Sequence, residues 1–199
     1  MSSLRETKKM ATRQALADSA ALLVMRSGPE ALTVADIAHN AGVSPRTFHN
    51  YFSSASGALF YFAAGVVEKL MTQLPEMYPQ ATINEFFEKL VLDVLGDTNE
   101  ELHSLPTLFF ISQVIENLHQ SEEERHKYQA VAKSVFDAFR NREPEFGSIE
   151  LSVIIDAHIG TCSLIMKHIS SCAQEGEPLS EQDQMDFVHR AFAGLRMIF

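Results

Sequence analysis

Residues 32–52 read LTVADIAHNAGVSPRTFHNYF. Thr33 stands three residues before Asp36, the spacing of a helix N-terminal capping box. Leu32 and Ile37 flank that cap as a hydrophobic staple would. The helix so opened is expected to end near Asn40, where Gly42 supplies the freedom of a tight turn. A second start follows at once. Ser44 is placed to cap, Pro45 takes the first helical position, where its missing N–H costs nothing, and Val43 can staple to Phe48. Two short helices, a glycine turn of about four residues and apolar anchors at Ile37, Ala38, Val43 and Phe48 predict a helix-turn-helix.

Working outward, the remainder reads as helix throughout. Apolar residues recur at three and four, and no β-branched run alternates with period two. A first helix is expected over about 5–27, ended by Gly28 and Pro29 in SGPEALT (27–33). A fourth is expected from Ser54 or Ser56 to about Leu74. Further helical patterns cover about 82–96, 100–119, 122–142, 148–174 and 181–198. Pro106 starts or kinks the second of these, and Ser180 with Asp183 repeats the capping box at the last. The expected class is all-α, an N-terminal three-helix unit followed by a larger helical domain. The boundary is placed at residues 1–55 and 56–199.

Net charge is −10, which taken alone disfavours a nucleic-acid partner. Its distribution changes that reading. Residues 1–69 hold seven Lys/Arg and five Asp/Glu, whereas residues 70–199 hold nine and twenty-one. The first thirteen residues carry Arg5, Lys8, Lys9 and Arg13 against Glu6 alone. Such asymmetry suggests two jobs in one chain. The opening MSSLRETKKMATRQ lacks the apolar core of a signal peptide. The longest uninterrupted apolar run, ALFYFAAGVV (58–67), is short of the ~20 residues that span a bilayer. Cys162 and Cys172 are roughly 15 Å apart by helical rise, too far to bridge each other. These features suit a cytoplasmic protein with no membrane partner.

In SPRTFHNY (44–51) helical geometry puts Phe48 and Phe52 on one face and Arg46, His49 and Asn50 on another. The apolar face anchors the helix. The polar face suits the DNA major groove, where Arg46 could read guanine and Asn50 adenine or a phosphate. Lys8, Lys9 and Arg13 are placed to meet the phosphate backbone, adding affinity without sequence information. A solvated helix and a frayed basic terminus are the plainer alternatives.

The stretch ALTVADIAHNAGVSPRTFHNYFSSASGAL (31–59) resembles the TetR family of transcriptional regulators. The resemblance is carried by Thr33, Ile37, Ala38, Ala41, Gly42, Val43, Ser44, Thr47, Tyr51, Phe52 and Leu59, over about residues 10–60. Beyond residue 70 only length and all-helical architecture agree. The resemblance implies a DNA-binding N-terminal unit contacting an operator through Thr33, Ser44, Pro45, Arg46, Thr47, His49, Asn50 and Tyr51. It further implies a C-terminal ligand-binding domain, a homodimer formed largely by the last two helices, and repression released by a small molecule. Two positions depart from the family pattern. His49 replaces a usual tyrosine, and Ala55 replaces a usual lysine that contacts phosphate. Ala55 and the acidic total favour an alternative, a small-molecule-binding module with weak or lost DNA binding.

In the C-terminal half, Phe86, Phe87, Phe109, Phe110, Phe136 and Phe139 are interleaved with Gln113, Asn117, Tyr128, His158 and Cys162. An apolar cavity with a few polar groups would orient a small ligand, and Phe86, Phe110, Gln113, His158 and Cys162 are the candidates. Core packing explains most of these aromatics equally well. HIGTC (158–162) and HISSC (168–172) each place His and Cys four apart, a spacing for two metal ligands. The pairs lie about 80° apart round a helix, so they do not converge and no metal site is assigned. No cofactor is expected. No G-x-S-x-G, H-E-x-x-H or P-loop pattern supports an enzyme. Gly160 in one terminal helix and Val188, Phe192 and Leu195 in the other are the expected dimer contacts.

Overall fold

The computed structural model describes residues 4–73, 76–96, 102–118 and 122–197. Among these residues there are nine α-helices and no strand. They are α1 (Leu4–Ser27), α2 (Val34–Asn40), α3 (Pro45–His49), α4 (Ala55–Gln73) and α5 (Ile83–Gly96), then α6 (Leu105–Glu116), α7 (Glu122–Arg142), α8 (Ser148–Gln174) and α9 (Glu181–Leu195). A 3₁₀ turn, Pro29–Ala31, follows α1. It was not legible from the sequence beyond the Gly-Pro break.

The helix starts are where the capping residues put them. Thr33 Oγ1 accepts from the Asp36 amide at 3.1 Å and Ser44 Oγ from the Thr47 amide at 3.1 Å. Ser180 Oγ accepts from the Asp183 amide at 3.1 Å. Gly42 has φ 68°, a left-handed conformation that a side chain would strain. The helix expected from residue 100 begins instead at Leu105. Ser104 caps it and Pro106 sits in its first turn, so the proline starts the helix rather than kinking it.

The chain forms two compact units, Met1–Glu68 with Glu100–Val131, and Lys69–Asn99 with Ala132–Phe199. Both α4 and α7 have residues in each. The first unit is built on the helix-turn-helix. Leu16, Ala20 and Val24 of α1 are fully buried with Ile37, Phe48, Leu59 and Phe62. Ile111 and Ile115 of α6 join the same core, an addition to the first three or four helices that periodicity alone did not assign. One polar link crosses it. The buried Ser19 hydroxyl donates to the Ile37 carbonyl at 3.0 Å and accepts from Asn40 Nδ2 at 2.9 Å, fixing α2 on α1.

The second unit packs α5, α8 and α9 together with the end of α7. Phe86, Phe87, Phe139, Leu151, Ile155, Val188 and Phe192 are buried in it. The Phe87 and Phe139 rings stack at 5.3 Å, and Phe86 meets both edge-on. Glu88 of α5 is nearly buried and bonds His189 Nδ1 at 2.8 Å and Arg196 Nη1 at 3.1 Å. A buried carboxylate needs such partners, and these two tie α9 to α5. Helix α8 is long and apolar enough to cross a membrane by length and composition, although only a third of its most apolar window is buried.

Candidate nucleic-acid interface

Helix α3 is short because its two ends are fixed by different residues. Ser44 and Pro45 begin it, and Asn50 closes it as the C-cap. Phe48 is fully buried and Phe52 is 5% exposed, so the helix is pinned by its inner face. Pro45, Arg46, His49 and Asn50 are left exposed. Thr33 and Ser44 are exposed too, but their hydroxyls are engaged as caps. Thr33 Oγ1 donates to the Asp36 carboxylate at 2.6 Å, and Ser44 Oγ lies 2.9 Å from Thr47 Oγ1. The His49 ring meets Phe48 edge-on at 5.5 Å, which steadies it on the exposed face.

Beside this helix lies an open groove lined by Leu4, Arg5, Lys8, Lys9, Thr12, Asn50 and Tyr51. One wall is the start of α1 and the other is the end of α3. Residues 5, 8, 9 and 12 share one face of α1, as i, i+3, i+4 and i+7 must. Three cations on that face, opposite an amide and a phenol, suit a strip of phosphate backbone. The expected Lys8, Lys9, Asn50 and Tyr51 are thus brought together. Arg5 was counted in the basic start but not singled out, and Thr12 was missed; the same helical spacing could have found both. Arg13 does not line the groove. It turns inward, its guanidinium carbon 4.5 Å from the Tyr61 ring centroid and 5.1 Å from that of Phe52.

The residues put forward for an effector pocket fall in different units. Phe110 and Gln113 belong to the first, where both are half-buried. Phe86, His158 and Cys162 belong to the second, and all three are buried. His158 stands among aromatic rings, 5.2 Å from Phe87 and 6.2 Å from Phe192. Burial lowers its pKa below the usual histidine value, so the ring is neutral near pH 7. Burial pushes the Cys162 thiol up to about 12. Side-chain atoms of Tyr128 lie outside the described residues.

Two of the dimer contacts expected in α9 lie inside the protomer. Val188 and Phe192 are both fully buried, because their side of α9 packs on α5 and α8 of the same protomer. Leu195 is half-buried and Gly160 exposed. Helix α8 carries exposed apolar residues: Ile149 is 83% exposed, Val153 51% and Leu164 69%. With Gly160 they fall within about 60° of arc on one face.

Residues 16–56 match the family model described as bacterial regulatory proteins, tetR family. That segment, carrying the helix-turn-helix, is similar to the TetR family. No curated protein matches the chain's sequence. Solved structures of similar fold include the fatty acid degradation regulator FadR of Bacillus halodurans. It is 18% identical, with a TM-score of 0.57 over 92% of this chain and 93% of that one. The transcriptional regulator FadR of Bacillus subtilis, solved with stearoyl-CoA, is 15% identical with a TM-score of 0.60 over 90% and 95%. A TetR-family regulator structure from Rhodococcus sp. is 13% identical with a TM-score of 0.53 over 94% and 97%. At these identities the likeness is one of fold. The matched segment covers the helix-turn-helix that both the capping pattern and the structure single out.

Proposed function

We propose that this chain is a TetR-family regulator, a cytoplasmic, homodimeric repressor that binds a palindromic DNA operator and is released from it by a small molecule. One observation carries the reading. The exposed Pro45, Arg46, His49 and Asn50 stand on a helix anchored by the buried Phe48, beside a groove lined by Arg5, Lys8 and Lys9. This arrangement offers base-reading groups next to phosphate-neutralising ones. DNA contact is assigned to residues 1–55, and effector sensing and dimerisation to residues 56–199. Two recognition helices held by a dimer would meet half-sites about one helical turn apart. The exposed face of α8 with Ile149, Val153, Gly160 and Leu164 supports a second copy as its partner, since large apolar faces seek cover. No catalytic role is assigned. Effector release is a population shift, in which the ligand favours a form that fits the operator poorly.

The effector class to test first is suggested by likeness. The Bacillus subtilis regulator of similar fold was solved with stearoyl-CoA. A long-chain acyl thioester is therefore the leading candidate here. The test begins with selection of duplexes from a random pool by the full chain. The winning duplex is then titrated with and without stearoyl-CoA and free stearate. Recovery of a two-fold symmetric site, weakened by one of these, is the expected result. Failure to enrich any site at low salt would overturn the DNA reading.

A second reading keeps the ligand and drops the DNA. Ala55, half-buried at the start of α4, offers no cation where the family usually places lysine. Ligand binding without enrichment of any duplex would favour that reading.

A further inference from the structure

The two walls of the basic groove are joined by a residue that does not line it. Arg13 follows Thr12 on α1, and Phe52 follows Tyr51 beyond the recognition helix. The Arg13 guanidinium lies over the Phe52 and Tyr61 rings at 5.1 and 4.5 Å. Phe52 in turn packs 5.8 Å from Phe48 and 5.7 Å from Tyr61. Arg13 Nε is buried and has no hydrogen-bond partner. A buried N–H left unpaired is costly, so this site holds the side chain against a penalty. Attraction of the cation to two ring faces offsets it, provided the guanidinium keeps its place on both rings. A guanidinium that turned out to take a phosphate would give up that contact.

We infer that Arg13 is a positioning residue for DNA binding rather than a phosphate ligand. Through Phe52 it sets the separation between the cationic wall, Arg5, Lys8 and Lys9, and the wall formed by Asn50 and Tyr51. The phosphates are then neutralised by the three cations that line the groove. Arg13 acts on DNA only by holding the recognition helix at the right distance from them. This inference rests on the DNA-binding reading, but its geometry is a property of the free protein as well.

The test uses the full chain, the duplex selected by the unmodified protein, and a scrambled duplex of the same length. Arg13→Met should weaken the selected duplex about tenfold, the effect of losing a desolvated cation–π contact. It should leave the scrambled duplex within about twofold and the dependence of log K on log salt unchanged. Lys8→Ala should instead lower that slope by about 0.9. Tyr61→Leu should reproduce the Arg13→Met effect, and the double variant should lose little more. In the free protein, hydrogen exchange should quicken at residues 47–52 in Arg13→Met while the amides of α2 stay as protected as before. A salt slope lowered by about 0.9 in Arg13→Met would overturn the inference in favour of a phosphate contact. Equal losses on both duplexes, additive single effects, or unchanged exchange at residues 47–52 would overturn it as well. If the unmodified protein binds neither duplex, the DNA reading fails, and the exchange experiment alone decides whether Arg13 holds the recognition helix.

Discussion

His158 Nε2 lies 3.3 Å from Asn84 Oδ1, joining α8 to α5 inside an aromatic core. The other ring nitrogen faces the Ile154 carbonyl at 2.7 Å and donates to it. A neutral imidazole has one N–H, so Nε2 must accept. With Oδ1 toward the ring, the buried Asn84 Nδ2 has no hydrogen-bond partner. Exchanging the two amide atoms lets Nδ2 donate to Nε2, and this is the orientation we assign.

A pH dependence follows from this pair. Burial lowers the folded-state pKa of His158 below its ordinary 6.5. Between the two values the unfolded chain binds a proton that the folded chain refuses. The stability His158 contributes is therefore complete above about pH 6.5 and is lost as pH falls below it toward the folded value. Urea midpoints measured from pH 8 to pH 5 should fall, and His158→Phe should flatten part of that fall. An unchanged profile in the variant would show that His158 is not a source of it.

The two cysteines should separate cleanly by reactivity. The thiolate is the nucleophile, and Cys162 is buried with its pKa pushed up to about 12. Cys172 is partly exposed at the end of α8. One thiol should react promptly with iodoacetamide at pH 8, identified as Cys172 by peptide mapping. Cys162 should react only after denaturation. Comparable labelling of both in the native protein would contradict the packing around Cys162.

Much of this architecture was legible because helix ends are written locally. Thr33, Ser44 and Ser180 each cap within three residues, so their effect needs no tertiary context. Arg13 shows where local reading stops. A basic residue near a basic terminus looks like a phosphate contact, and nothing nearby reveals that Phe52 and Tyr61 fold over it. Val188 and Phe192 show the same limit. An apolar stripe on a terminal helix serves a protomer core or a dimer contact alike, and only the packing of α5 and α8 decides. The inclusion of α6 in the first core is likewise a long-range fact.

That distinction predicts two different failures. Phe192→Asp places a carboxylate at a fully buried position, at a cost of several kcal/mol, enough to unfold a marginal domain. Leu164→Asp alters a residue that is 69% exposed and should leave the protomer folded. If α8 forms the dimer contact, Leu164→Asp should sediment as a folded monomer at micromolar concentration while the unmodified chain sediments as a dimer. A dimer undisturbed by Leu164→Asp would place the contact elsewhere.

Arg46 and Lys8 should separate sequence reading from phosphate neutralisation. Arg46 is exposed on the recognition helix, with Phe48 holding the opposite face in the core. Lys8 lines the groove on α1. A bidentate arginine–guanine contact contributes about 1–3 kcal/mol of discrimination. Arg46→Ala should therefore weaken the selected duplex by that amount and relax preference at one base pair in each half-site. Lys8→Ala should weaken all duplexes nearly alike and make the salt dependence shallower, because one fewer counterion is released. Repeating the random-pool selection with each variant checks both. If Arg46→Ala enriched the same sites with undiminished preference at every position, base reading would have to be reassigned to Asn50 or His49 on the same exposed face.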